Sequence, residues 1–255
     1  MIEFKNEIGI KKNTNRVIYI CIGVFFAVLI IVLVAMFLLK YHVEGEKKLP
    51  FEITEMLIIS TADGIGEDNE GNRWNISILQ NNDIYINIKE KISKEKPDSL
   101  KKIILQNFNI NNGPEKGEPK IYHPTDDKDL IYLYKEENQI LDKAEYNVAT
   151  SSNVKKMQIS KEGGIVSFSS CSTNIARYIS NEDTQIKYDG SLLNKVNITE
   201  EQIQYTITFD IIVEMESGKK YKGSITLELP LKDLITDGTV KKEIKSFDNI
   251  VFKRE

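Results

Sequence analysis

The strongest constraint on this chain lies between Val17 and Leu39: 23 residues, VIYICIGVFFAVLIIVLVAMFLL, without a single charge. At about 1.5 Å per residue, a helix of that length reaches roughly 35 Å, enough to cross a hydrocarbon core of about 30 Å. A core helix of a globular body would carry a polar face, and this run has none. An export signal has a shorter apolar region, of about 7–15 residues, followed by a small-x-small cleavage site. Here Lys40-Tyr41-His42 follows the run directly, and the nearest small-residue candidate, Val43-Glu44-Gly45, comes only after that charged break. No lipobox-like cysteine follows, and Cys21, near the start, reads as a lipid-compatible apolar residue. The run therefore predicts a retained transmembrane helix over 17–39, in contact with the lipid bilayer. That leaves residues 1–16 as a short tail, 40–50 as a juxtamembrane linker and 51–255 as the body of the protein.

Orientation follows from the flanking Lys and Arg residues, which are retained on the cytoplasmic side. Lys5, Lys11, Lys12 and Arg16 precede the run, and Lys40, Lys47 and Lys48 follow it. This excess of one predicts a cytoplasmic N-terminus and a C-terminal domain outside the cell membrane. Tyr19 and Tyr41 sit near the two ends, where amphipathic rings prefer the interface.

Charge excludes some partners. The first 40 residues hold five Lys/Arg against two Asp/Glu, so of the net −4 the remainder carries −7. An acidic body argues against nucleic acid and against docking on anionic headgroups. Of the 34 basic residues only four are Arg, a bias resembling that of AT-rich bacterial genomes. Cys171 is the only cysteine beyond the apolar run. The body must therefore hold together by its core, without an internal disulfide.

Beyond the run the hydrophobic period is two. From Ile203 to Glu216, residues Ile203, Tyr205, Ile207, Phe209, Ile211, Val213 and Met215 alternate with a mostly polar set. Such alternation puts one face on a core and the other in water. Glu216-Ser217-Gly218-Lys219 supplies a turn, and Tyr221, Ile225, Leu227 and Leu229 alternate on the return, giving a hairpin that Pro230 ends. Phe51 to Ser60 reads as a strand. Trp74, Ile76 and Ile78, then Asn81-Asn82-Asp83, then Ile84, Ile86 and Ile88 read as a second hairpin turning at the polar triplet. Ile103 to Ile110, Leu130 to Tyr134, Lys156 to Ile159 and Ile165 to Ser169 are further strand candidates, with a tight connection at Gly163-Gly164 and a closing strand over Phe247 to Phe252. Ser99 to Gln106 is compatible with helix as well. Thr199-Glu200-Glu201-Gln202 resembles a capping box with room for one helical turn. Asn111 to Asp129 reads as a long loop. The fold class expected is mainly β: one N-terminal transmembrane helix followed by an antiparallel β-sandwich or barrel-like domain.

Three places carry residues capable of chemistry. Asp63 to Asn72 is an acidic stretch, but Ile65 falls where a calcium loop needs a ligand, and turn formers favour a solvated connection. Asp126, Asp127 and Asp129 lie near His123; loops of this composition are common, so no metal is expected. The order His123, Cys171, Arg177 in an anchored, strand-rich domain resembles sortase transpeptidases, in which a thiolate attacks a peptide carbonyl, a histidine transfers protons and an arginine steadies the oxyanion. The sortase signature Thr-Leu-x-Thr-Cys is replaced here by Ser167-Phe168-Ser169-Ser170-Cys171, and the arginine follows after only six residues. With the signature missing, Cys171 reads as a small buried hydrophobe at a strand end. The tyrosines at 85, 132, 134 and 146 read as strand surface rather than a carbohydrate platform. No catalytic, cofactor or metal residue is assigned.

Leu49-Pro50-Phe51-Glu52-Ile53, Ile58-Ile59-Ser60-Thr61-Ala62-Asp63-Gly64 and Asn82-Asp83-Ile84-Tyr85-Ile86 resemble a group of uncharacterised bitopic membrane proteins from low-GC Gram-positive bacteria. The resemblance spans anchor and exported domain and implies placement, without an activity. The function expected is a membrane-anchored extracytoplasmic module that binds an envelope protein or ligand, with a sortase-like thiol transpeptidase as the alternative. A weaker third reading is a subunit of a larger membrane complex, hinted at by the small residues Gly23 and Ala27 one helical turn apart.

Overall fold

In a computed structural model the described residues are 3–69, 73–91, 98–125, 131–151, 154–180 and 191–255. They divide into two compact units, Met1–Lys47 and Lys48–Glu255.

The first unit is one helix, α1 (Glu3–Glu44). It extends beyond the apolar run at both ends, because nothing at Lys11-Lys12 or Lys40 breaks a helix. Within it the span Arg16–Glu44 holds an 18-residue apolar window, none of which is buried. It is therefore long and apolar enough to span a membrane.

The second unit is a sandwich-like body of two sheets. The strands are β1 (Phe51–Asn69), β2 (Arg73–Glu90), β3 (Leu100–Asn111), β4 (Glu118–Tyr122), β5 (Lys143–Val148), β6 (Gln158–Ile159), β7 (Gly163–Ser180), β8 (Tyr205–Met215), β9 (Lys220–Leu229), β10 (Thr239–Ile244) and β11 (Lys253–Arg254). The first sheet has the order β10-β1-β2-β7-β4, and the second β11-β9-β8-β3-β5-β6. Pairing is antiparallel except between β5 and β6. The long hairpin is β8–β9, in register from Tyr205↔Leu229 to Glu214↔Lys220.

The main core lies between the sheets. Ile84, Ile86 and Ile88 of β2 and Val166 and Phe168 of β7 face Ile207, Phe209, Ile211 and Val213 of β8. Phe108, Phe168 and Phe209 interlock with ring centroids 5.0–5.6 Å apart. Burial of side chains this large contributes about 1.5–3 kcal/mol each.

β1, β2 and β7 are 19, 18 and 18 residues long, far beyond what one core requires. Their far halves carry a second, smaller core. There Ile78 and Ile175 are covered by Leu192, Leu193, Ile203 and Leu234, from or beside the short helices α2 (Ser191–Lys195), α3 (Glu200–Ile203) and α4 (Leu234–Asp237). The one-turn helix expected after Thr199 is α3, with Thr199 N–H donating to Gln202 Oε1 at 3.1 Å.

A rung of polar residues separates the two cores. Ser60, Asn82 and Ser170 stand directly opposite one another on β1, β2 and β7. All three are fully buried. Ser60 Oγ donates to Asn82 Oδ1 at 2.6 Å, and Asn82 Nδ2 reaches Ser170 O at 3.3 Å and Tyr205 OH at 3.1 Å. Ser170 Oγ lies 2.6 Å from the same phenol, and Leu231 N–H donates to Ser60 Oγ at 3.0 Å.

This rung corrects the reading of Asn81-Asn82-Asp83 as a turn: the triplet sits in the middle of one continuous strand, because its side chains find hydrogen-bond partners inside the sheet. Other expectations change too. Asp63 to Asn69 is strand, paired with β2 up to Asn69↔Arg73, rather than a solvated connection. Of the strand expected over Leu130 to Tyr134, the described residues 131–134 form no strand and make one bridge, Pro124↔Tyr132. Phe247 to Phe252 is irregular and fills the core instead, Phe252 packing edge-on to Phe51 at 5.0 Å. The long loop after Asn111 contains β4, and Ser99 to Gln106 is extended within and before β3. The Gly163-Gly164 connection stands as expected, with Ser160 and Gly163 exchanging backbone bonds at 2.9 and 3.2 Å. Gly163 has φ +135, and a Cβ there would collide with the Ile88 carbonyl.

Candidate functional site

Cys171 lies in the middle of β7 rather than at a strand end, flanked by Asn81 on β2 and Lys120 on β4. It is fully buried and packs with Leu79 and Tyr122. Burial, with added repulsion from Asp83 and Asp63, pushes its thiol up to about 12. A nucleophilic cysteine needs the opposite environment, electropositive and accessible. His123 follows β4; burial lowers its pKa, and its buried Nδ1 has no hydrogen-bond partner among the described residues. Arg177 is exposed and pairs in register with Ser77, while Cys171 pairs with Asn81. Those ladder positions are about 13 Å apart at ~3.3 Å per residue. The fold thus gives Cys171 a packing role and does not gather the three residues around one reacting centre.

The acidic stretches divide likewise. Asp63 accepts from its neighbour Gly64 N–H at 2.7 Å within β1. Residues 70–72 and Asp126, Asp127 and Asp129 lie outside the described residues. Among the described residues no three His, Cys, Asp or Glu side chains are grouped to hold a metal.

The outer face of the first sheet holds a cluster that sequence reading missed. Asp83 Oδ1 accepts from Asn81 Nδ2 at 2.9 Å, and burial raises its pKa against that bond and one from Ser169. Tyr85 is pushed up to about 12 by burial and by Asp83, and burial raises Tyr132 and Tyr134 as well. Tyr134 packs on Tyr122 with centroids 5.3 Å apart, and Tyr132 is 5% exposed. Tyr146 is different: it sits in the main core and bonds the Ser167 backbone. Tyr132 and Tyr146 are thus buried packing residues rather than strand surface, while Tyr85 is half-buried on β2 and Tyr134 is exposed.

An open site lies at another edge. The free edge of β4 is occupied, with Ile140 N–H donating to Ile121 O at 2.7 Å and Tyr122 bridged to Gln139. The start of β9 is covered by β11 at Tyr221 and Lys222. Among the described residues, nothing pairs with the outer edge of β10 or with that of β9 after Gly223. These two edges, one from each sheet, border a cleft of about 500 Å³. Ile58, Leu227, Leu231 and Val240 give it an apolar floor, and Lys232, Lys241, Lys242 and Glu228 line its rim. None of the three lysines makes an ion pair among the described residues, whereas the neighbouring Glu243 pairs with Lys245 at 3.0 Å. An unpaired strand edge above an apolar floor can bind an extended chain through its backbone.

No protein-family model matches this chain, and neither a curated protein nor a solved structure matches it.

Proposed function

We propose that this protein is a single-span membrane protein whose sandwich stands on the outer side of the cell membrane and serves as a non-enzymatic binding module for an envelope protein or ligand. The observation that carries the reading is the 29-residue segment Arg16–Glu44, whose apolar window is entirely unburied. An apolar surface of that extent is stable only when lipid covers it. The four-to-three excess of Lys and Arg before the apolar run supports a cytoplasmic N-terminus. A buried, high-pKa thiol and an open strand edge support binding over thiol chemistry. Tethering adds to this, since confinement near the membrane raises the effective concentration of a weak binder.

The test is fractionation combined with a topology reporter. The full chain should remain in the membrane pellet through an alkaline wash and come off with detergent. A periplasm- or exterior-dependent reporter fused after Glu255 should be active. Recovery in the soluble fraction, a mature N-terminus beyond Lys40, or a silent exterior reporter would overturn the proposal. In vivo crosslinking should then capture a discrete envelope partner, and turnover of cell-wall peptides lost on Cys171→Ala would defeat the non-enzymatic part.

A further inference from the structure

We infer that the cleft between β9 and β10 binds an acidic, extended polypeptide segment, which adds to the β10 edge as a further strand. This rests on the binding-module reading and specifies its site and the chemistry of its partner.

Three observations converge. The first is the edge itself. A long unpaired edge invites aggregation, and folded proteins cover, shorten or charge such edges. Here β4 is covered by Ile140, β9 is covered at its start by β11, and β6 is only two residues long. β10 is left open over six residues, Thr239–Ile244, in register with β1 from Thr61↔Thr239 to Met56↔Ile244. In an antiparallel ladder alternate residues turn both N–H and C=O outward, so about half of β10 offers its backbone to an incoming strand.

The second observation is the floor. Ile58 and Leu227, 2% and 7% exposed, lie at the base of the cleft. An added strand projects alternate side chains to one face. Apolar residues on that face would cover Val240 and Leu231.

The third is charge. The sequence after residue 40 carries a net −7, yet this rim presents three lysines against one glutamate. Among the described residues, no carboxylate forms an ion pair with those lysines. A second copy pairing edge to edge would bring Lys241 and Lys242 against their own counterparts, a like-charge clash that disfavours homodimerisation. An acidic strand meets the opposite: with its apolar side chains on the Val240 face, its carboxylates lie on the Lys241 face, and its backbone gains a ladder.

The experiment uses the full chain in lipid nanodiscs and three fluorescein-labelled octapeptides: alternating Val-Glu, alternating Val-Lys, and the Val-Glu peptide with a central proline, which cannot donate to the ladder. Anisotropy should report binding of the Val-Glu peptide, weakened at least tenfold by the proline and falling with added salt. Lys241→Glu with Lys242→Glu should weaken it at least tenfold and let the Val-Lys peptide bind. Lys135→Glu, on the β4 side of the sheet, should change affinity less than twofold. An unchanged melting temperature will show that the double variant remains folded. Equal binding of acidic and basic peptides, indifference to the proline, no binding at millimolar peptide, or concentration-dependent dimers without peptide would each overturn the inference. Loss of peptide binding with an envelope partner still crosslinked elsewhere would defeat this site alone. A chain found free of the membrane would defeat the broader reading.

Discussion

Asn82 on β2 donates its side-chain N–H to the Tyr205 phenol on β8 at 3.1 Å, a hydrogen bond directly across the two sheets. Both residues are buried, and each has further partners in the rung formed with Ser60 and Ser170. Removing one member strands the others, and an unsatisfied buried polar group costs about 1–3 kcal/mol. We expect Asn82→Ala to destabilise the sandwich by ~2–3 kcal/mol and Tyr205→Phe by ~1–2 kcal/mol. The pair should be non-additive by more than about 0.5 kcal/mol in a double-mutant cycle, read by urea unfolding in mild detergent. Additive losses would show that the bond does not couple the sheets.

Gln80 gives the opposite expectation. It stands two residues along β2, on the same face, opposite Ala62 and Ser172, fully buried, with neither amide atom hydrogen-bonded among the described residues. Its polarity costs desolvation with no return. Gln80→Met preserves length and removes that cost, so the variant should be more stable by ~1 kcal/mol. A destabilised variant would reveal a partner for this amide.

Cys171 should be inert. With its thiol near 12, only about one molecule in ten thousand is ionised at pH 8, and burial blocks access as well. In a Cys21→Ser background, iodoacetamide should leave the folded protein unlabelled for hours and label it within minutes in urea. Rapid labelling of the folded chain would return Cys171 to the list of nucleophiles.

What the sequence made legible is what strict periodicity encodes. The β8–β9 hairpin alternates because one face is core and the other solvent, and its buried positions on β9 are Tyr221, Gly223, Ile225, Leu227 and Leu229. Edge strands escape this logic. β10, Thr-Val-Lys-Lys-Glu-Ile, buries little, so its pattern carries only Val240 and Ile244. Central strands escape it differently. Asn81-Asn82-Asp83 has turn composition, and only partners distant in sequence, Ser60, Ser170 and Tyr205, make it a strand interior. The open cleft was equally hidden, since β9 and β10 come from different sheets and meet only in three dimensions. Phe252 shows the converse: an aromatic residue can fill a core without joining a ladder.

Two carboxylates should respond to pH with opposite signs. Burial holds Asp83 above its ordinary pKa in the folded state. The folded protein therefore binds that proton more tightly than the unfolded chain does. Its contribution is fully present below the unfolded value near 4 and is lost as pH rises through the folded value. Asp83→Asn keeps an acceptor for Asn81 and removes the buried charge, so its melting temperature should exceed the parent's at pH 7 and converge with it below about pH 4. Glu214 is the reverse case. The hydrogen bond from Lys101 at 2.6 Å, with Lys220 at 3.8 Å, holds its carboxyl below the usual range. Its contribution is present above the unfolded value and is lost as pH falls through the folded one. Glu214→Gln should therefore cost about 1 kcal/mol at pH 7, and that cost should shrink as the buffer is acidified below about pH 4. Thermal unfolding of both variants and the parent across that range decides the matter: parallel curves would mean that neither carboxyl is perturbed by folding.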